Sequence, residues 1–156
     1  MDASKNIYSI PFSGGLNIRA APFHFESDYM RNAVDFALDI GTPILASCDG
    51  LVDKIVDNNG EGGFDRKFLD KTNLVILKHP CGEYSLYVHM KAGILVKEGQ
   101  GVEAGEPIGY SGMSGYTSYP HLHYQTSIKN SKGKLTSIPT RFKLSDGIRI
   151  LVSPRE

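Results

Sequence analysis

The feature that most constrains this chain is its punctuation. Seventeen glycines and eight prolines recur between short stretches rich in Val, Ile, Leu and Tyr. Such spacing leaves room for strands of four to eight residues and little for helices, and apolar positions at i, i+3, i+4 and i+7 are missing nearly everywhere. An all-β domain of mostly antiparallel sheets follows, with strands expected at 32–37, 43–47, 50–56, 74–78, 84–89, 107–111, 121–128 and 149–152. The best helical exception is a turn or two at 23–31. Residues 129–156 read as a closing hairpin and tail, and 57–73 as a polar loop long enough for a lid or a solvated insertion. At 156 residues, a single domain needs no staple for its core.

Composition narrows the partners. Seventeen basic residues balance seventeen acidic ones, so no electrostatic footprint for a phosphate backbone exists and nucleic acid is not an expected partner. No apolar run reaches the roughly 18 residues of a membrane span, and residues 1–16 carry no secretory pattern. Cys48 and Cys81 read as two thiols rather than a bridge.

Three polar features stand on strands. In Pro120-His121-Leu122-His123 the histidines at i and i+2 share one face, so both rings converge on one small volume. Asp35 lies within the apolar stretch Ala33-Val34-Asp35-Phe36-Ala37, where a carboxylate needs a cationic partner, either a metal ion or Arg31. His89 ends the apolar run Leu86-Tyr87-Val88, and His79 precedes Pro80 in a position read as structural. A faint repeat accompanies them: Gly41-Thr42-Pro43-Ile44 and Gly105-Glu106-Pro107-Ile108 share G-x-P-I at turn-to-strand junctions, as two similar β units packed together would.

In order, the segments VDFALDIGTPILASCDGLVDKIV, NLVILKH, YSLYVHM, VKEGQGVEAGEPIGYSGMSG and PHLHY resemble the lysostaphin-like family of zinc endopeptidases that cut peptidoglycan cross-bridges. The likeness runs over residues 34–125, preceded by an N-terminal segment at 1–33. It implies an all-β duplicated hybrid motif fold of barrel-sandwich type, one zinc ion, peptidoglycan or peptide as substrate, and a place outside the cytoplasm at the cell wall. Asp35 matches the family's aspartate ligand and His123 its terminal histidine ligand. His121 matches the catalytic histidine that helps to activate water, and His89 the second active-site histidine, which steadies the transition state.

The chain departs from the family at Arg31, which stands where the first histidine ligand belongs. A guanidinium has no lone pair for a metal. Three readings follow: His24 enters as substitute third ligand, with Glu26 and Asp28 as weaker candidates; or Arg31 neutralises Asp35 in a non-catalytic module that binds cell wall or peptide; or two ligands hold a weakly bound metal. A phosphocarrier of the sugar phosphotransferase type is a further alternative, because such folds share Gly-rich turns of the VEAGEPIG kind. Tyr110, Tyr116 and Tyr119 are the expected walls of a substrate groove between the 57–73 loop and the turns at 109–119.

Overall fold

The computed structural model describes residues 2–60, 62–68 and 71–156. Its strands are β1 (Tyr8–Ser9), β2 (Ile18–Arg19), β3 (Val34–Ala37), β4 (Pro43–Leu45), β5 (Gly50–Val56) and β6 (Gly62–Gly63). There follow β7 (Leu74–Lys78), β8 (Glu83–Val88), β9 (Gly101–Val102), β10 (Pro107–Tyr110) and β11 (Gly115–Tyr116). The chain closes with β12 (His121–Lys129), β13 (Leu135–Ile138), β14 (Thr140–Leu144) and β15 (Gly147–Leu151). Helical structure among the described residues is confined to 3-10 turns at Pro22–Glu26, Arg66–Phe68 and Pro80–Gly82. The fold is all-β and mostly antiparallel, as the Gly and Pro punctuation requires.

The main sheet runs β2-β3-β12-β8-β7-β5-β9, with β13 pairing the far half of β12. A second sheet, β1-β14-β15, is built by the closing segment and captures β1 in parallel register. The two G-x-P-I segments pair with each other: β4 and β10 run antiparallel, Ile44 opposite Gly109 and Leu45 opposite Pro107. The repeat is thus a local antiparallel pair, with Ile44 and Ile108 both fully buried.

Strand alternation decides which side chains meet the core. On β12, Leu122 and Tyr124 face inward with Phe36 of β3 and Tyr87 of β8, and Phe142 of β14 packs against Phe36 and Tyr124. On the other face of the same strands lie His121, His123 and Gln125. Register places His123 directly opposite Asp35 on β3 and opposite Val88 at the end of β8. A one-residue slip would bury the apolar set on the wrong face, so the hydrophobic alternation itself aligns Asp35 with His123.

The strands missing from the sequence reading are mostly two-residue pairings, too short to show any period. The expected helical turn at 23–31 is a 3-10 turn at Pro22–Glu26, started by Pro22 in the first position. The expected strand start at residue 32 moves to Val34, because residues 28–32 form a turn. No helix among the described residues is long and apolar enough to cross a membrane.

Candidate metal centre

The centre is assembled from three adjacent strands and one preceding turn. Asp35 and His123 come from the β3–β12 pairing, and both are buried. His24 arrives on the 3-10 turn, which Ala21 N–H anchors to the Pro154 carbonyl at 2.9 Å. His24 Nε2 stands 3.3 Å from Asp35 Oδ2, and His123 Nδ1 stands 3.2 Å from Asp35 Oδ1. Two ligands about 2.0–2.2 Å from one tetrahedral zinc lie about 3.3 Å apart, so these separations have the right scale. Donor atoms of His24, Asp35 and His123 all lie within 4.8 Å of one another.

The tautomer of His123 decides what its Nδ1 offers. Gln125 Nε2 donates to the Tyr29 carbonyl at 2.7 Å and to Ser127 Oγ at 2.9 Å, which turns Gln125 Oε1 toward His123 Nε2 at 2.8 Å. An amide oxygen only accepts, so His123 Nε2 carries the proton and Nδ1 a lone pair. That lone pair faces Asp35 Oδ1, a buried oxygen with no hydrogen-bond partner; His24 Nδ1 is also buried without one. Two electron-rich atoms 3.2 Å apart repel unless a proton or a cation lies between them. The donor set, two imidazoles and a carboxylate with a partner behind one ring, fits a metal ion with an open fourth position.

Electrostatics agree with the geometry. Burial raises the Asp35 carboxyl, yet the His123, His24 and His121 rings that face it outweigh this and hold it well below the usual carboxylate range. Burial opposes charging His123, but Asp35 beside it pulls the ring above its ordinary value. A carboxylate that draws a proton onto its neighbour draws a metal ion for the same reason. It also repels an incoming phosphoryl group, which weighs against a phosphocarrier.

His121 and His89 border the centre. His121 Nε2 is 3.6 Å from Asp35 Oδ2, and its Nδ1 donates to the Tyr119 carbonyl at 2.9 Å. His89 has φ of 66°, in the left-handed region that side chains adopt at a cost. The turn brings its ring 4.8 Å from that of His121, and its Nδ1 donates to the Ser114 carbonyl at 2.7 Å. Gly115, with φ of 81°, packs so close that an added Cβ would lie 2.0 Å from Thr72 Oγ1. Since carbonyls only accept, Nε2 of both rings carries the lone pair. Burial keeps them neutral, pushing His121 below its ordinary value and His89 down to about 3.

A cavity of about 310 Å³ opens over this group, lined by Pro22, Phe23, Phe64, Tyr116 and Tyr119 together with the four histidines and Asp35. Tyr116 stacks on Phe64, which is 63% exposed. Tyr116 and Tyr119, two of the three tyrosines expected to wall a groove, thus line the cavity together with Phe64 of the 57–73 loop. Tyr110 does not: it sits on β10, paired opposite Pro43 and away from the cavity. The N-terminal stretch 20–24, to which the sequence had assigned only His24, also lines the cavity.

Arg31 is likewise not the partner of Asp35. Its guanidinium lies 3.4 Å from the Asp28 carboxylate, both side chains largely exposed, because the turn before β3 leads residues 28 and 31 away from the strand face. That pairing also removes Asp28 from the substitute ligands, and the clustered donors do not include Glu26. His79 sits elsewhere in the core, bonded to the Asp49 carbonyl and Ser85. Both cysteines are free.

The sequence reading missed the supports. Gln125 is at i+2 from His123 on the same face, a spacing that could have flagged it. Ser153 could not have been found from local pattern: it is fully buried, its Oγ accepts the Asp35 N–H at 2.7 Å, and its own N–H bonds the Ala33 carbonyl.

Comparison with known proteins gives the arrangement a family. The chain is 38% identical over 99 residues to the peptidoglycan DD-endopeptidase ShyA of Vibrio cholerae, an alignment taking in 64% of this chain and 20% of ShyA. Among solved structures, the antimicrobial peptidase lysostaphin from Staphylococcus simulans superposes with a TM-score of 0.57 at 28% identity, over 86% of this chain and 52% of that one. A zinc-containing peptidase from Vibrio cholerae superposes with a TM-score of 0.51 at 28% identity, over 76% of this chain and 33% of that one. The chain spans about a fifth of the length of the curated relatives it matches. Residues 29–134, which include β3, β8 and all of β12, match peptidase family M23, and the chain belongs to that family.

Proposed function

We propose that this chain is a zinc metallopeptidase that hydrolyses peptide bonds in peptidoglycan cross-links, acting outside the cytoplasm at the cell wall. The observation that carries the reading is the pair of facing electron-rich atoms, His123 Nδ1 and Asp35 Oδ1, at 3.2 Å. Family membership and the names of the relatives supply the substrate class.

His24, Asp35 and His123 would hold the ion. Bound there, zinc acidifies a water molecule and polarises a carbonyl. His121 is the general base: its Nε2 takes a proton from the attacking water and passes it to the leaving amine, an exchange its neutral, buried ring is set up to make. His89 offers a second acceptor at Nε2 that orients the water. Gln125 holds the His123 tautomer, and the Ser153 hydroxyl braces the Asp35 backbone. Phe64, Tyr116 and Phe23 give an extended peptide apolar walls within the cavity.

The test is zinc content of protein purified without a histidine tag, together with digestion of purified peptidoglycan with and without a chelator. Stoichiometric zinc and chelator-sensitive release of peptide are expected, and both should be lost in His24→Ala. Failure to bind zinc when it is supplied, or intact peptidoglycan at full zinc occupancy, overturns the enzyme reading. Zinc and cleavage surviving in His24→Ala overturns the ligand assignment.

A further inference from the structure

Tyr119 does more than wall the cavity. Its ring lies nearly parallel to His121, centroids 4.4 Å apart and planes at 27°, and the Arg19 guanidinium sits over the ring, 5.0 Å from its centroid. Its hydroxyl is buried and has no hydrogen-bond partner. A buried hydroxyl without an acceptor destabilises a fold. Phenylalanine would give the same stack without that cost, so the oxygen needs a reason beyond packing.

The proton inventory of the cavity supplies one. Hydrolysis of an amide turns the carbonyl oxygen into an oxyanion, which calls for hydrogen-bond donors at the moment charge develops. His89 and His121 both show the cavity a lone pair, because each Nδ1–H is bound to a carbonyl. Neither donates before it takes up a proton. The Tyr119 hydroxyl is a donor from the start, since an ordinary phenol holds its proton at neutral pH.

Resting on the hydrolase reading above, we propose that Tyr119 is a catalytic residue whose hydroxyl donates a hydrogen bond to the oxyanion formed from the scissile carbonyl. The proton stays on Tyr119 throughout. The water oxygen bonds to the carbonyl carbon, the C–N bond breaks, and the proton removed by His121 leaves on the amine. No protein group bonds the hydroxyl, so its proton is available to a substrate oxygen.

Tyr119→Phe on the zinc-loaded protein tests this. On a purified cross-linked muropeptide, kcat should fall about 10²-fold with KM unchanged, the usual size for loss of one such donor. Binding of a phosphinic dipeptide, which mimics the tetrahedral oxyanion, should weaken by a similar factor in calorimetry. Zinc affinity by chelator competition should stay within twofold, and the metal-free variant should melt at the same temperature as wild type or slightly higher, since a buried unpaired hydroxyl has gone. Unchanged kcat and unchanged phosphinate binding overturn the assignment. So does a tenfold loss of zinc affinity, which would make Tyr119 a positioning residue for Asp35. If wild type cleaves no muropeptide, the hydrolase reading fails by itself, and the phosphinate, zinc and melting measurements still decide Tyr119.

Discussion

Two clusters of buried polar side chains occupy opposite faces of β8 and β12, and they differ in one respect. On the core face, His79 bonds the Asp49 carbonyl and Ser85, the Ser85 and Tyr87 hydroxyls bond each other, and Tyr87 and Tyr124 both meet the hydroxyl of Ser47. Every link lies between 2.7 and 2.9 Å, and none of these atoms is left without a partner. On the other face, His24, Asp35 and Tyr119 each keep a buried polar atom unpartnered. The same residue types therefore serve two ends. A closed network fixes one arrangement of the core, whereas unpartnered valences converging on one volume describe what the protein binds.

The largest effect that separates the two faces should come from His121. His121→Gln removes the base but none of the three candidate ligands, so peptidoglycan cleavage should drop about 10²- to 10⁴-fold while zinc stays bound. Loss of zinc along with activity would place His121 among the ligands instead. One step back from the metal, Gln125→Leu frees the tautomer of His123 and should weaken zinc binding about 10- to 100-fold, measured by chelator competition. Zinc affinity that does not move would mean that Gln125 serves β12 rather than the centre.

How much of this contrast the sequence shows depends on the range of the interaction. His121 and His123 declare themselves because a strand places i and i+2 on one face, and Asp35 because a carboxylate in an apolar strand needs a partner. His24 lay within reach only as a substitute, since a residue on a turn eleven positions upstream follows no strand period. Arg31 misleads for a related reason: residues 28–32 form a turn, so nearness to Asp35 in the chain does not bring the two side chains together. Ser153 is invisible, because its contact with Asp35 is set by how the closing segment returns across β3. Tyr110 looks equivalent to Tyr116 and Tyr119 in a list of turn residues, and only the β4–β10 pairing separates it. The strands, by contrast, were largely legible, since Gly and Pro mark their ends and β-branched residues their bodies.

The closed face should answer to stability rather than to activity. Tyr87→Phe leaves the Ser47 N–H without its buried acceptor, at a cost of about 1–3 kcal/mol. At about 2–4 °C per kcal/mol for a chain near this size, the melting temperature should fall by several degrees, with cleavage per folded molecule unaltered. A fall in kcat at unchanged stability would show that the two faces are coupled through β12.

The smallest effect is also the one that most sharply tests closure. Burial pushes His79 below its ordinary pKa, against the opposing pull of the Asp49 carbonyl and of the Glu83 and Asp49 charges; the ring of Tyr8 meets it edge-on at 5.3 Å. In the unfolded chain the same ring titrates near about 6.5. Above that pH neither state binds the proton, and the stability of the neutral, bonded ring is fully present. Below it the unfolded chain takes up a proton that the folded ring resists, so stability falls with pH until the depressed folded pKa is reached. One proton's difference contributes a slope of at most about 1.4 kcal/mol per pH unit. Urea unfolding between pH 7 and 5 should therefore show a shallower decline in His79→Gln than in wild type, while His89 and His121 contribute equally to both proteins and cancel in the difference. Parallel curves would mean that His79 protonates as readily folded as unfolded, and the core network would then be as open to a proton as the centre across the sheet.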